Sequence, residues 1–178
     1  MPAEVPLWRA PSRVGVERDE APTAVDVAVI GAGIIGLTAM EHLTSNGARA
    51  VLIEAGQPGG GSSTTGSGVL GWSRSLAPPG EVDPRASGFP DLVTVLDGAQ
   101  DWFVEYVRSR GLDAGLTVPG SVSIHGPADP QALGTVHPGK LVESMVGQIR
   151  SAGGALLVDE PLRSISRHTS GFQILTSE

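Results

Sequence analysis

Apolar positions fall in short continuous runs and in longer stretches with helical spacing, and the first such set occupies residues 25–54. Val25-Asp26-Val27-Ala28-Val29-Ile30 is rich in β-branched residues and ends at Gly31. Such a run predicts a strand buried on both faces of a parallel sheet. Ile34 to Asn46 follows, with Leu37, Met40 and Leu43 on the apolar side, and Gly47 suits the residue that closes a helix. Arg49-Ala50-Val51-Leu52-Ile53-Glu54 predicts a second strand. Strand, glycine turn, helix and strand within about 30 residues make a βαβ unit.

Further along, Leu92, Val95, Leu96, Ala99, Trp102, Phe103, Tyr106 and Val107 recur at helical spacing, which predicts a helix over 91–110 stopped by Gly111. Its aromatic cluster is expected in the core. Ser121 to His125 reads as a short strand and Gly126 to Val136 as loop. Pro138 opens another helix with Leu141, Val142, Met145, Val146 and Ile149 on one face, and Gly153-Gly154 ends it. Ala155 to Val158 is a buried-type strand. Leu162–Ser166 and Phe172–Thr176 alternate around His168–Gly171, a hairpin pattern. Residues 1–24 carry mixed charge and prolines without period, so order is expected from Val25, after an extended or disordered arm that is either anchored by Leu7-Trp8 or an unanchored tail. Ala55–Gly68 is nearly all Gly, Ser, Thr and Pro, and Ala77–Pro90 is rich in turn residues.

Composition narrows the function classes. The 178 residues are 40% hydrophobic with 25 Gly and 14 Pro, enough for a core in a loop-rich chain. A net charge of −7 argues against nucleic acid and against electrostatic docking on anionic lipid. The absence of cysteine removes disulfide scaffolds, Cys-ligated zinc, iron–sulfur clusters and thiol nucleophiles. Val27–Met40, the longest apolar stretch, is too short and too rich in glycine for a membrane span. The N-terminus lacks a secretory pattern, so a cytoplasmic location is expected.

Gly31-Ala32-Gly33-Ile34-Ile35-Gly36 is G-x-G-x-x-G between a predicted strand and helix. In that context Gly31 permits a tight turn, Gly33 leaves room for a pyrophosphate against the backbone, and Gly36 lets helix and strand approach. The helix N-terminus adds free N–H groups and positive partial charge. Glu54 ends the second strand, where a carboxylate can accept both ribose hydroxyls of an adenosine and repel a 2′-phosphate. The competing reading is a glycine-rich strand-to-helix turn with no ligand. Met40, one turn past Gly36, is larger than close packing favours, but its flexible thioether adapts.

Val29-Ile30-Gly31-Ala32-Gly33-Ile34-Ile35-Gly36-Leu37 and Gly60-Gly61-Ser62-Ser63 resemble the FAD-dependent oxidoreductases of the D-amino-acid oxidase and glycine oxidase family. Val136-His137-Pro138-Gly139-Lys140-Leu141-Val142 and Ala152-Gly153-Gly154-Ala155 extend the resemblance. It implies a Rossmann-like α/β FAD-binding core, residues 25–68 and 137–178, with part of an inserted substrate domain at 69–136. It also implies FAD held by Gly31, Ala32, Gly33, Ile34, Ile35, Gly36, Glu54 and Ala55. Gly60, Gly61, Ser62 and Ser63 would pass along the pyrophosphate and ribityl chain, and main-chain atoms at Leu162 would meet the adenine. The implied activity is oxidation of a small amine or amino acid by hydride transfer to flavin. The resemblance covers the family's N-terminal part, so the chain is expected to be truncated and to need a partner chain or a C-terminal half for turnover. The family's substrate-binding Arg and Tyr generally lie in that other half, so no catalytic residue is named. A non-catalytic remnant or interaction domain, and an NAD-binding domain, stand as alternatives.

Other candidates read as structural. His125 and His137 are expected to cap or pack, His42 and His168 to face solvent, and Asp97, Asp101 and Glu105 to form a solvated helix face. No metal-ligand spacing is present. Ser62 and Ser63 lack an evident base for nucleophilic catalysis, and Trp72 is left without a role.

Overall fold

The structure, a computed structural model, describes residues 15–70, 90–118 and 134–177. In chain order the elements are β1 (Val27–Ile30), α1 (Ile34–Ser45), β2 (Ala50–Ile53), a 3-10 turn (Ser62–Thr64), β3 (Val69–Leu70), α2 (Pro90–Ser109), β4 (Gly134–Thr135), α3 (Pro138–Ser151), β5 (Ala155–Leu157), β6 (Ser164–His168) and β7 (Gly171–Leu175). They form two units, one of residues 1–66 with 138–178 and one of residues 67–137.

The first unit is built on a parallel sheet in the order β1-β2-β5, with Ala28 opposite Val51 and Leu52 opposite Leu156. The apolar runs predict this. All four residues of β2 are buried, as the central strand of a covered parallel sheet requires. Side chains alternate across it. Val51 and Ile53 join Leu157 on one face, where Val25, Ala28 and Ile174 of β7 pack on them. Leu52 and Leu156 are fully buried, as are Leu37 and Met40 of α1 and Met145 and Ile149 of α3. The two helices pack against one another. Met40 is thus accommodated as an adaptable core residue.

Two glycines set how closely these parts approach. A Cβ on Gly36 would lie 1.9 Å from the Gly31 carbonyl oxygen, which no rotamer change relieves. A Cβ on Gly154 would lie 2.6 Å from Ile149 Cγ2 and 2.8 Å from Thr44 Cγ2, where α3 turns back into β5 against the end of α1.

The expectation that order begins at Val25 is corrected. Residues 15–24 are described, and Asp19 anchors them on β5. Its N–H donates to the Leu156 carbonyl (2.9 Å), and its carboxylate accepts the Leu156 N–H (2.8 Å) and pairs with Arg150 (3.1 Å). Arg150 also donates to the Glu17 carbonyl. Arg18 pairs with the buried Glu160 at 3.0 Å. One carboxylate stands in for a strand's carbonyl, a device that leaves no hydrophobic period to read. Leu7-Trp8 lies outside the described residues.

In the second unit β3 and β4 pair antiparallel, with Val69 opposite Thr135, and Thr117 bridges to Thr135. The stretch expected as loop to Val136 therefore holds a short strand at its end. Val107, Leu112 and Ala114 are buried, but Trp102 is 61% exposed. The core placement expected for the aromatic cluster is thus corrected at Trp102, which stacks on Tyr106 at 5.2 Å on the outside of α2. Asp101 and Glu105 are exposed, as expected of a solvated face. The strand expected at Ser121–His125, Trp72 and the turn-rich stretch 77–89 lie outside the described residues. No described helix is long and apolar enough to cross a membrane.

Gly36→Ala should lower the unfolding free energy by about 3 kcal/mol, because the new Cβ meets backbone. Gly147→Ala, in open space on α3, should raise it by roughly 0.5–1 kcal/mol. Urea titration of both variants checks the contrast. A second outcome concerns pH. The Thr176 hydroxyl and then the Arg18 charge hold the Glu160 carboxyl below the ordinary glutamate range, against the opposing effect of burial. A depressed folded-state value stabilises the fold above the unfolded-state value, and this is lost as pH falls through the lowered one. Amide protection at Asp19 and Ser177 should therefore fall in that acid window, and Glu160→Gln should remove the pH dependence. Hydrogen exchange followed by NMR reads both.

Candidate functional site

The sequence motifs meet at the C-terminal ends of β1, β2 and β5, the edge where open α/β sheets take ligands. Gly31 sits at φ 96°, a conformation that only glycine adopts without strain, and its N–H donates to the Ile53 carbonyl at 2.8 Å. The chain then turns directly into α1. Gly33 differs from its two companions. Its backbone is extended (φ −75°, ψ 176°) and any residue could adopt it. A Cβ there would touch only the Ser63 hydroxyl, at 3.1 Å. The fold itself thus demands glycine at positions 31 and 36, whereas at 33 glycine leaves open backbone beside a helix N-terminus. That is the cradle a pyrophosphate requires.

Gly33, the residue before α1, offers no side chain to cap the helix. The Ser63 Oγ supplies the cap from the second glycine-rich loop, accepting the Ile34 N–H at 2.9 Å. A hydroxyl that accepts there keeps its own proton to donate. Among the described residues, no partner takes the N–H groups of Ile35 and Gly36. Ile35, the second residue of α1, is 84% exposed.

Glu54 joins the two loops. Its Oε2 accepts the Ala32 N–H at 2.7 Å and its Oε1 accepts the Gly56 N–H at 2.9 Å. Each carboxylate oxygen retains a lone pair, so the group can hold both loops and still accept ribose hydroxyls. Its backbone is fixed as well, since its N–H donates to Leu157 O (2.8 Å) and its carbonyl accepts the Glu160 N–H (2.9 Å).

The second loop crosses the first through the Gly59 N–H, which donates to the Ala32 carbonyl at 2.8 Å. Gly59 (φ 72°) and the buried Thr64, whose hydroxyl donates to the Gly59 carbonyl at 2.6 Å, complete the fold of this loop. Neither stands among the sequence-derived site residues; the Ser-Ser-Thr-Thr run after three glycines is the signal that marks them. Gly60, Gly61 and Ser62 lie exposed on the same loop, and Ala55 is exposed beside Glu54. Leu162 is half-buried two residues past Glu160.

Of the remaining candidates, His42 and His168 are exposed. The His137 N–H donates to Ala114 O at 2.7 Å. His125 and Asp97's side chain lie outside the description. Among the described residues no three His, Asp or Glu gather as metal ligands.

If Glu54 is the joint, Glu54→Gln should loosen it, because an amide nitrogen then faces one of two N–H groups. Exchange at Ala32 or Gly56 should quicken, corresponding to roughly 1–3 kcal/mol of lost local protection. Unchanged exchange at both amides would remove Glu54 from that role.

Residues 26–133 match the model of a family described as FAD dependent oxidoreductase. No curated protein matches the chain. Among solved structures it is similar to glycine oxidase from Geobacillus kaustophilus, with TM-score 0.61 and 20% identity over 86% of this chain and 51% of that one. Iminodiacetate oxidase from Chelativorans sp. BNC1 gives TM-score 0.64 and 17% identity over 85% and 51%. L-amino acid deaminase from Proteus myxofaciens, in complex with anthranilate, gives 0.57 and 18% over 92% and 45%. The likeness to these structures is one of fold. The chain spans about half the length of each.

Proposed function

Because this chain belongs to the FAD dependent oxidoreductase family, we propose that its first unit holds the ADP half of FAD across the β1–α1 turn and serves the oxidation of a small amine or amino acid. The family's cofactor displaces the nicotinamide alternative. The observation that carries the proposal is the joint at Glu54. One carboxylate fastens the loop after β1 to the loop after β2, beside a helix N-terminus whose residue 33 needs no glycine for its own conformation.

In this reading the amides of Ile35 and Gly36 meet the pyrophosphate, with Gly33 open beneath it and the Ser63 hydroxyl as a further donor. Glu54 accepts the adenosine ribose hydroxyls, with Ala55 alongside. Main-chain atoms at Leu162 meet the adenine. Gly60, Gly61 and Ser62 lie toward the flavin half. When bound, the flavin ring supplies the hydride acceptor for a carbon that bears an amine. The names of the structural neighbours, a glycine oxidase, an iminodiacetate oxidase and an L-amino acid deaminase, support a small amino compound as the substrate class. Cofactor binding is assigned to residues of this chain, and catalytic residues are not.

Calorimetry with FAD and with ADP tests the proposal. Wild type should bind both. Gly33→Val should abolish both, since the side chain fills the cradle and displaces Ser63. Removing Gly60 and Gly61 should weaken FAD more than ADP. Equal binding of ADP by wild type and Gly33→Val would sink the site, and an equal loss of both ligands on the deletion would confine the second loop to the adenosine half.

A further inference from the structure

The N-terminal segment does more than cover β5. Its first described residues reach the loop that carries Glu54. The Val16 N–H donates to the Gln57 Oε1 at 2.8 Å. The other end of that carboxamide, Nε2, donates to Asp159 Oδ2 at 2.5 Å. Gln57 therefore spans three segments far apart in sequence: the N-terminal strap, the loop after β2 and the loop after β5.

Asp159 is held in an uncommon way. It is the one non-glycine residue at positive φ among the described residues, at 55°, a conformation that needs support from its surroundings. Two contacts provide it: the Gln57 amide on its carboxylate, and its own N–H donated to the Gly56 carbonyl at 2.9 Å. Gly56 is the residue whose N–H lies on Glu54 Oε1. A continuous chain of hydrogen bonds thus runs from Val16 through Gln57 and Asp159 to Gly56, and from Gly56 to the Glu54 carboxylate. Just after Val16 the strap is secured by Arg18 on Glu160 and by Asp19 on Leu156 and Arg150.

We propose that the strap and Gln57 form a brace that positions the Glu54 carboxylate and the loop after β5, and so sets the affinity of the site for the adenosine half of its ligand. Gln57 is a positioning residue, since it acts through Gly56 and Asp159. The proposal rests on the dinucleotide reading above. The physical basis is preorganisation: a loop ordered before binding costs the ligand less to engage.

The test uses the 178-residue chain and two readouts, amide exchange without ligand and ADP affinity by calorimetry. Gln57→Glu keeps the acceptor for Val16 but sets a carboxylate against Asp159. It should quicken exchange at Gly56 and Asp159 and weaken ADP by about tenfold. Adding Asp159→Asn restores a donor on the other side of the bridge, and should return both readouts toward wild type. Val16→Pro removes the strap's N–H from Gln57 without altering Gln57 or Asp159, and should weaken ADP in the same direction. A merely structural contact would lower the unfolding midpoint while leaving ADP affinity of the folded protein unchanged, and that result overturns the brace. So does a double variant no better than Gln57→Glu. Wild type that binds neither ADP nor FAD overturns the dinucleotide reading first and the brace with it. Wild-type binding with unaffected variants overturns the brace alone.

Discussion

The arrangement depends on the contact between Gly36 and the carbonyl of Gly31, where even a methyl group would lie 1.9 Å from backbone oxygen. It forces α1 to begin directly against the end of β1. Because the helix starts there, its first amides stand at the edge of the sheet beside Glu54, and the Ile34 N–H must find its partner in another loop. Ser63 supplies it. The second glycine-rich loop is in turn held across the first by Gly59 on Ala32. One steric fact near residue 36 therefore shapes a site drawn from residues 31–64.

Around this contact, glycine has two different meanings. At Gly31 and Gly36 it is a requirement of the polypeptide, imposed by positive φ in one case and by crowding in the other. At Gly33 the backbone is extended, and an added Cβ would meet only the Ser63 hydroxyl, at 3.1 Å, a side chain rather than the main chain. The G-x-G-x-x-G pattern alone does not separate these roles; the backbone angles do. The comparisons reach the same family as the resemblance read from residues 29–37 and 60–63.

The parts legible in the sequence were those governed by local periodicity. The β-branched runs mark β1, β2 and β5, and the helical spacing of Leu141, Val142, Met145, Val146 and Ile149 marks α3. The exposed Trp102 shows the limit: spacing assigns a side to a helix, but not how much of that side its unit covers. Asp19, Gln57 and Asp159 were illegible for a different reason. Each works through single polar contacts to residues remote in the chain, as with Asp19 and Leu156, 137 positions apart. Such contacts leave no repeating trace, and the same amino acids read as ordinary surface when taken in order.

The pairing of β2 with β5 bears on how the molecule comes into being. The strands β1 and β2 and the helix between them lie close in sequence, yet Ile53 pairs with Leu157, about 100 residues later, roughly 5–20 s of ribosomal synthesis at ordinary rates. During that interval β2 has one neighbour instead of two, and Asp19 has no strand on which to rest. The unpaired backbone edge of β2 must wait until Ala155–Leu157 emerges, and the strap, made before β2, finds its place on β5 only after that.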